Sequence, residues 1–176
     1  RVHDYCLRTL DLALGYPIDA VQVGAVLCSK TGPIFSRAMM EEFEFPSLRE
    51  RIRMAKDRGL PVSIHQDGNV ASLFPDFIAM GVDVINPIEP CDGEQDIYRL
   101  KETYGDRIAL HGNMDLNLLA SGTPEQVRAD TIEHLDRLAA GGGYICASSH
   151  NITQDISVEN FWAMRDAVHA FRFCPG

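Results

Sequence analysis

The chain has no apolar run near 18 residues and no window that concentrates lysine and arginine. Without such a run there is no candidate for a membrane-spanning helix, and the start of the chain lacks the layout of a signal peptide. A formal net charge of -9 over 176 residues would repel nucleic-acid phosphates and anionic membrane surfaces. We therefore expect a cytoplasmic protein whose main partner is neither nucleic acid nor a membrane.

Several motifs of catalysis and redox chemistry are also missing. There is no G-x-S-x-G, no G-x-x-x-x-G-K-[ST] and no G-x-G-x-x-G after a strand, which disfavours hydrolase triads and nucleotide-dependent enzymes. The five cysteines are an odd number, widely spaced, and none of them forms a C-x-x-C pair. Reduced thiols are the expected state.

What the sequence does contain is a recurring pair of features: a short apolar stretch, then a cluster of polar residues. The five apolar stretches are Val21–Gly24, 61–64, 82–85, 107–110 and 143–146. Polar residues at one end of successive strands are typical of a parallel α/β sheet or barrel whose site lies at the strand C-termini. This pattern predicts an enzyme that acts on a small-molecule substrate.

Helical stretches of suitable length separate the strands. Ser36 is a plausible cap for a helix to Gly59 that Pro46 should kink or divide, and Thr123 opens a capping box with Gln126. The predicted helices cover 4–14, 36–59, 70–80, 94–104, 123–140 and 157–171. The order α(βα)5 fits one domain, residues 1–176, as an open sheet or as part of a barrel. A closed (β/α)8 barrel needs about 250 residues, so five units predict an incomplete barrel.

The most specific polar cluster is His65-Gln66-Asp67, because alternate residues leaving a strand point to the same side. His65 and Asp67 suit either two metal ligands or an acid–base pair. They also suit a plain structural role, with the histidine hydrogen-bonded at a strand end and Asp67 capping the next helix. His150 follows the last strand and is the candidate third ligand.

Other strand ends supply candidates for binding substrate. Asn113 and Asp115 could orient a substrate, with Asp115 also a candidate catalytic residue, although Asp115 could equally cap a short helix. Glu89 between two prolines could present a fixed carboxylate or be a solvated loop acid. Asn86 and Lys30 are further substrate-binding candidates. Of the cysteines, Cys146 is read as a core residue and Cys28 as a weakly supported nucleophile.

A string of short motifs, in order from about Val21 to Val168, resembles the uroporphyrinogen decarboxylase superfamily. The motifs are Ile64–Gly68, Gly81–Pro87, Leu100–Arg107, Gly112–Asp115, Gly122–Val127, Gly141–Ile145, Ser149–Asn151 and Glu159-Asn160. The resemblance implies a TIM (β/α)8 barrel of which this chain is the C-terminal five βα units.

The resemblance implies two chemistries. One branch decarboxylates the acetate side chains of a porphyrinogen without a cofactor, and His150 matches a histidine of that branch. The other branch moves methyl groups between corrinoid proteins and a thiol such as coenzyme M, using zinc bound by an H-x-C pair and a later Cys. Here His65 matches the first ligand, Asp67 stands where that branch has Cys, and His150 stands near the later Cys.

We first expect metal-assisted methyl transfer or a related reaction, with His65, Asp67 and His150 holding zinc and with a corrinoid protein as a possible partner. Metal-free decarboxylation of uroporphyrinogen is the alternative. A third possibility is that the chain is a catalytically inactive assembly or binding subunit, which forms homo-oligomers through open barrel edges.

Overall fold

A computed structural model describes residues 1–91 and 95–171 of the chain. The α-helices are α1 Val2–Ala13, α2 Arg37–Met39, α3 Phe45–Lys56, α4 Phe74–Met80, α5 Ile97–Tyr104, α6 Leu116–Ser121, α7 Pro124–Leu138 and α8 Val158–Ala170. The strands are β1 Val21–Gly24, β2 Cys28–Ser29, β3 Gly32–Pro33, β4 Val62–His65, β5 Val84–Ile88, β6 Ala109–Met114 and β7 Tyr144–Ser148. A π-helical turn at Met40–Glu44 and a 3₁₀ turn at Ala71–Leu73 complete the set.

The chain divides into two compact units, Arg1–Asn86 and Pro87–Gly176, and the division falls within β5. The strand order of the main sheet is β1-β4-β5-β6-β7. In the first unit β1 pairs with β4, and β4 pairs with the beginning of β5, both in parallel. In the second unit β6 and β7 are parallel partners. The expected α/β class with parallel strands and intervening helices is confirmed.

The core of the first unit forms where helix α3 packs on β1 and β4. Phe45, Leu48, Ile52 and Ala55 recur at helical spacing and are fully buried. On β4 the residues alternate, with Val62 and Ile64 buried and Ser63 and His65 partly exposed. This alternation places His65 on the opposite face of the strand from the apolar residues.

The predicted break at Pro46 is confirmed, and the structure shows what form it takes. Residues 37–56 run as α2, a π-helical turn and α3, with Pro46 in the first turn of α3. Pro46 has no backbone N–H, so it cannot donate a hydrogen bond to the preceding turn. The π-helical turn before it therefore leaves no N–H of Pro46 without an acceptor. Ser36 caps the start of this stretch, as predicted, by accepting from Met39 N.

One hydrophobic cluster of the second unit consists of Met114, Leu119, Val127, Ile156 and Ala163. The capping box predicted at Thr123 is present: Thr123 Oγ1 accepts from Gln126 N, and Gln126 Oε1 accepts from Thr123 N. Buried Asn160 on α8 donates to the carbonyls of Leu119 and Gly122. These bonds join α8 to the end of α6.

The strand boundaries differ from the predicted ones in an informative way. β5, β6 and β7 extend two to four residues further than the apolar stretches do, so Asn86 and Asn113 lie within strands and not after them. Backbone pairing of Asn113 with Ala147 and of Met114 with Ser148 explains the extension of β6. The antiparallel hairpin β2–β3 was not predicted, and the predicted helix start at residue 94 lies outside the described residues.

No helix among the described residues has the length and apolar character needed to cross a membrane.

Candidate functional site

His65 and Asp67 are adjacent in space, as their spacing predicts. His65 Nε2 lies 3.5 Å from Asp67 Oδ2. On the other side of the ring, His65 Nδ1 lies 2.7 Å from Asn86 Oδ1. His65 is the last residue of β4, and Asn86 is its pairing partner in β5. Because the amide oxygen can only accept, the ring proton lies on Nδ1, and a neutral ring would turn its Nε2 lone pair toward the carboxylate. The pair therefore places one imidazole nitrogen and one carboxylate oxygen side by side at the end of β4.

Gln66, between these two residues, was not predicted to matter and anchors the loop. Its side chain is buried, and its Oε1 accepts from Leu27 N at 2.6 Å. Its own N–H donates to Asn86 O at 2.8 Å, and nearby Ala25 N donates to His65 O at 3.0 Å. The loop that carries His65 and Asp67 is therefore held by backbone and amide bonds. The sequence gives no sign of this role, since a glutamine between two polar residues resembles an ordinary loop residue.

A cavity of about 760 Å³ in the first unit opens onto His65 and Asp67. Its walls are mainly apolar, and they come from α1, the loop after β1 and the stretch from α2 to α3. The other lining residues are Val2, His3, Cys6, Gly24–Leu27, Phe35, Met39, Met40, Phe43, Glu44, Ser47 and Arg51. A cavity of this size and character, with a few convergent polar groups, is typical of a small-molecule site.

Arg51 is the cation in the cavity wall. Its side chain is 14% exposed and forms an ion pair with Glu44 at 3.2 Å. Its guanidinium also donates to Gly24 O at 3.3 Å. Lys30, the basic residue expected to bind substrate, lies instead in the exposed turn between β2 and β3 and is not part of the cavity lining. Sequence analysis missed Arg51 because it lies on a helix and not at a strand end.

The remaining candidates belong to the second unit. Asp115 Oδ1 accepts from Asn117 N, so the residue caps α6, one of the two roles considered for it. Asn113 is buried within β6, and half-buried Glu89 follows β5. His150 is exposed, and its carbonyl accepts from Ser148 Oγ at 2.6 Å. Burial lowers the pKa of His111 on β6, which favours a neutral imidazole there.

The sequence of residues 1–171 matches the family model described as uroporphyrinogen decarboxylase (URO-D). The chain belongs to the uroporphyrinogen decarboxylase family. The suspected resemblance and the expectation of an enzyme superfamily are thereby confirmed.

Curated relatives in this family carry the same name. A uroporphyrinogen decarboxylase of Pseudoalteromonas translucida is 33% identical over 68% of this chain and 32% of its own length. Those of Neisseria meningitidis and Actinobacillus succinogenes are 27% and 29% identical, over 96% and 97% of this chain and 47% of their own lengths. The chain thus spans less than half the length of these relatives.

Solved structures agree with the family's barrel fold. A methyltransferase from Methanosarcina mazei superposes with a TM-score of 0.72 at 20% identity, covering 94% of this chain and 46% of that one. An archaeal fructose 1,6-bisphosphate aldolase gives a TM-score of 0.51 at 17% identity, covering 90% and 57%. At these identities the likeness shows the fold alone.

The methyl-transferring branch of the uroporphyrinogen decarboxylase family implies a zinc ion. This chain has two side chains of suitable type to bind it, His65 and Asp67. The 3.5 Å between His65 Nε2 and Asp67 Oδ2 is close to the edge of about 3.4 Å that tetrahedral zinc with nitrogen and oxygen ligands requires. Over residues 1–91 and 95–171, no group of three His, Cys, Asp or Glu side chains has metal-binding spacing. His65 and Asp67 fit two corners of such a site, and His150 as a third ligand stays a prediction.

The thiol of Cys28 is poorly suited to act as a nucleophile, the role considered for it from the sequence. Cys28 is buried in β2, and burial raises its pKa from 9.0 to about 11. At pH 8 the thiolate fraction is therefore about 100-fold lower than for an ordinary thiol. We expect iodoacetamide to modify Cys28 in the folded protein about 100-fold more slowly than in urea-unfolded protein, as followed by peptide mass spectrometry. Equal rates in the two states would contradict the assignment.

Proposed function

We propose that this chain removes carboxyl groups from a porphyrinogen as CO₂, the reaction for which its curated relatives are named. The observation that carries the proposal is the cavity of the first unit, where the His65–Asp67 pair and Arg51 border a largely apolar wall. Among the reactions considered, decarboxylation needs the fewest groups beyond those present. It requires a place for a carboxylate, an apolar surrounding and a proton.

The apolar wall supports loss of CO₂ because a carboxylate moved out of water is destabilised relative to the neutral CO₂ that it becomes. In the step, the bond between the side-chain methylene carbon and the carboxyl carbon breaks. CO₂ leaves, and the electron pair stays on the methylene carbon. That carbon then takes one proton and becomes a methyl group, so atoms and charge balance.

His65 is the proton donor in this proposal. Its ring is oriented by Asn86 at Nδ1, and its Nε2 lies 3.5 Å from Asp67 Oδ2. General acids of this kind contribute about 100- to 10,000-fold to a rate.

Arg51 and the apolar side chains serve to bind substrate. The guanidinium offers paired donors to a second carboxylate, for which Glu44 would have to give way. Met39 and Phe43 on the cavity wall are 46% and 68% exposed and offer apolar surface to a pyrrole ring. A polycarboxylate with a flat apolar body is complementary to this combination.

Product analysis tests the proposal. The protein is incubated without oxygen with uroporphyrinogen, the products are oxidised to porphyrins, and these are separated by their number of carboxylates. We expect species with seven to four carboxylates to replace the octacarboxylate. Recovery of the octacarboxylate alone, at any enzyme concentration, would contradict the proposal.

Metal-assisted methyl transfer is the second candidate, and the spacing of His65 Nε2 and Asp67 Oδ2 favours it. Zinc bound there would act as a Lewis acid toward a thiol or another substrate group. Oxygen and nitrogen ligands make the site harder than the sulfur-containing site of that branch, which weakens thiol activation. Metal analysis of purified protein separates the candidates: stoichiometric zinc that is lost in His65→Ala favours methyl transfer, and metal-free protein that consumes uroporphyrinogen favours decarboxylation.

A further inference from the structure

The guanidinium of Arg51 is held at the cavity wall by two backbone carbonyls. Arg51 Nε donates to Ser47 O at 3.4 Å, one turn earlier on α3, and Nη1 donates to Gly24 O at 3.3 Å, at the end of β1. A guanidinium has five N–H groups, and these two bonds use two of them. The position of the group in the wall therefore does not depend on an acidic partner.

The acid that pairs with Arg51 is Glu44, and the pair is loose. Glu44 Oε1 accepts from Arg51 Nη2 at 3.2 Å. Charge-assisted bonds from nitrogen to a carboxylate are usually about 2.7 to 2.9 Å long, and the strong arginine pairs use both carboxylate oxygens. The bond between Glu44 and Arg51 is longer than this and uses one oxygen.

A tight pair in the same unit shows the difference. Arg37 donates through Nη1 and Nη2 to the two carboxylate oxygens of Asp76, both at 2.6 Å. Each pair contains one largely buried side chain, Asp76 at 12% exposure and Arg51 at 14%, so burial does not account for the contrast. Arg51 can therefore form a shorter, paired contact with a carboxylate that approaches it better than Glu44 does.

Glu44 lies on a distinctive backbone segment. It is the last residue of the π-helical turn Met40–Glu44, where Phe45 N donates to Met40 O. Such turns are rare and occur frequently at functional sites. Met40, Phe43 and Glu44 all line the cavity, so the turn supplies both apolar wall and the acid that faces Arg51.

The neighbouring acids of this turn are engaged elsewhere or point away from the cavity. Glu41 pairs with two other arginines. Glu42 is exposed and is not part of the cavity lining. Within the described part of the chain, Glu44 is thus the acid at ion-pair distance from Arg51.

We propose that Glu44 is a specificity-determining residue whose carboxylate competes with ligands for Arg51, so that a ligand displaces it only by bringing a carboxylate of its own. The inference rests on the substrate class of the proposed function, because it takes Arg51 as a carboxylate anchor. An incoming carboxylate binds Nη1 and Nη2 together, as Asp76 binds Arg37. Glu44, already 36% exposed, then turns into water, where a free carboxylate is well solvated. A ligand of the same shape without a carboxylate leaves the pair intact and gains nothing from the guanidinium.

Binding of uroporphyrin, the oxidised octacarboxylate, tests the inference through the absorbance of the porphyrin. Glu44→Gln keeps the size of the side chain and removes the competing charge, and should lower the Kd about 3- to 10-fold. Glu42→Gln is the matched control, because it removes one negative charge from the same turn without a contact to Arg51. It should change the Kd by less than about 2-fold. Equal tightening in the two variants would be a general effect of net charge and would overturn the proposal.

A double variant shows whether the effect passes through Arg51. Arg51→Gln should weaken uroporphyrin binding about 10-fold, because the paired donors are lost. In that background the further change Glu44→Gln should leave the Kd as it is, since nothing remains to compete for. Tightening by Glu44→Gln that persists without Arg51 would refute competition, as would an Arg51→Gln variant that binds uroporphyrin like wild type.

These binding measurements involve no turnover, so the inference and the proposed function can fail separately. A lower Kd in Glu44→Gln, from a protein that releases no CO₂ from uroporphyrinogen, would refute the proposed decarboxylation alone. Failure of uroporphyrin to bind both wild type and Glu44→Gln would refute the inference. Where turnover is measured, Glu44→Gln should lower KM by about the same factor as Kd and leave kcat within about 2-fold of wild type.

Discussion

His65→Ala is expected to lower kcat for porphyrinogen decarboxylation by about 100- to 10,000-fold, because it removes the proposed proton donor. His65 is the group in the cavity whose ring is oriented on one side by Asn86 and faced on the other by Asp67. Alanine leaves the apolar wall and Arg51 in place, so KM should change far less than kcat. Steady-state kinetics with uroporphyrinogen measures both.

Matched variants separate proton donation from simple disturbance of the cavity. Asn86→Ala removes the acceptor at His65 Nδ1 and should lower kcat about 10-fold, because the ring loses its orientation but remains present. His169→Ala, at an exposed histidine in the last turn of α8, should leave kcat unchanged. A His65→Ala variant with the kcat of wild type would remove His65 from the mechanism.

Gly68→Ala is expected to destabilise the protein by about 2 to 4 kcal/mol. Gly68 has a φ of +84°, and a Cβ at this position would lie 2.5 Å from the backbone oxygen of Ser29. The contact is with main chain, and Asn69 N already donates to that oxygen at 2.8 Å. The loop after β4 therefore has to shift, and urea unfolding followed by circular dichroism should show the loss of stability.

Gly59→Ala provides the control for this prediction. Gly59 has a similar φ of +73°, but a Cβ there would have nothing within 4 Å. The substitution carries only the conformational cost, about 1 kcal/mol. If the two alanine variants lose the same stability, the close approach of Gly68 to Ser29 is not what limits this position.

Features set by neighbouring residues could be predicted from the sequence. The capping box at Thr123 and the Ser36 cap are local, and the backbone groups that they satisfy lie within three residues. Pro46 acts through its own missing N–H, so the break in the helix was also predictable, although its π-helical form was not. The adjacency of His65 and Asp67 follows from the alternation of residues along an extended chain.

Features set by distant residues could not be predicted in this way. Asn113 contacts His134 and the carbonyl of Ile88, both more than 20 residues away in sequence, and Gln66 accepts from Leu27 N, 39 residues earlier. The predicted ends of β6 and β7 come too early in the sequence. Both strands continue through polar residues because their backbones pair, and the hydrophobicity of side chains does not report backbone pairing. Arg51 reaches the cavity from the face of α3, and a pattern of polar residues at strand ends does not report such a residue.

The curated relatives, and not the residue types, favour one of the two chemistries that the resemblance implies. The expectation of metal-assisted methyl transfer rests on the resemblance of His65-x-Asp67 to the H-x-C zinc motif of one branch of the family. The curated relatives are uroporphyrinogen decarboxylases, and they favour the alternative. An imidazole and a carboxylate 3.5 Å apart serve either chemistry, so the residue types alone could not decide.

One reaction mixture tests the central claim most directly. Purified protein is incubated without oxygen with carboxyl-labelled uroporphyrinogen, methylcobalamin and coenzyme M, and both labelled CO₂ and methylated thiol are measured. We predict labelled CO₂ with no methylated thiol, and loss of the CO₂ signal in His65→Ala but not in His169→Ala. Methylated thiol with the porphyrinogen carboxylates intact would contradict the account.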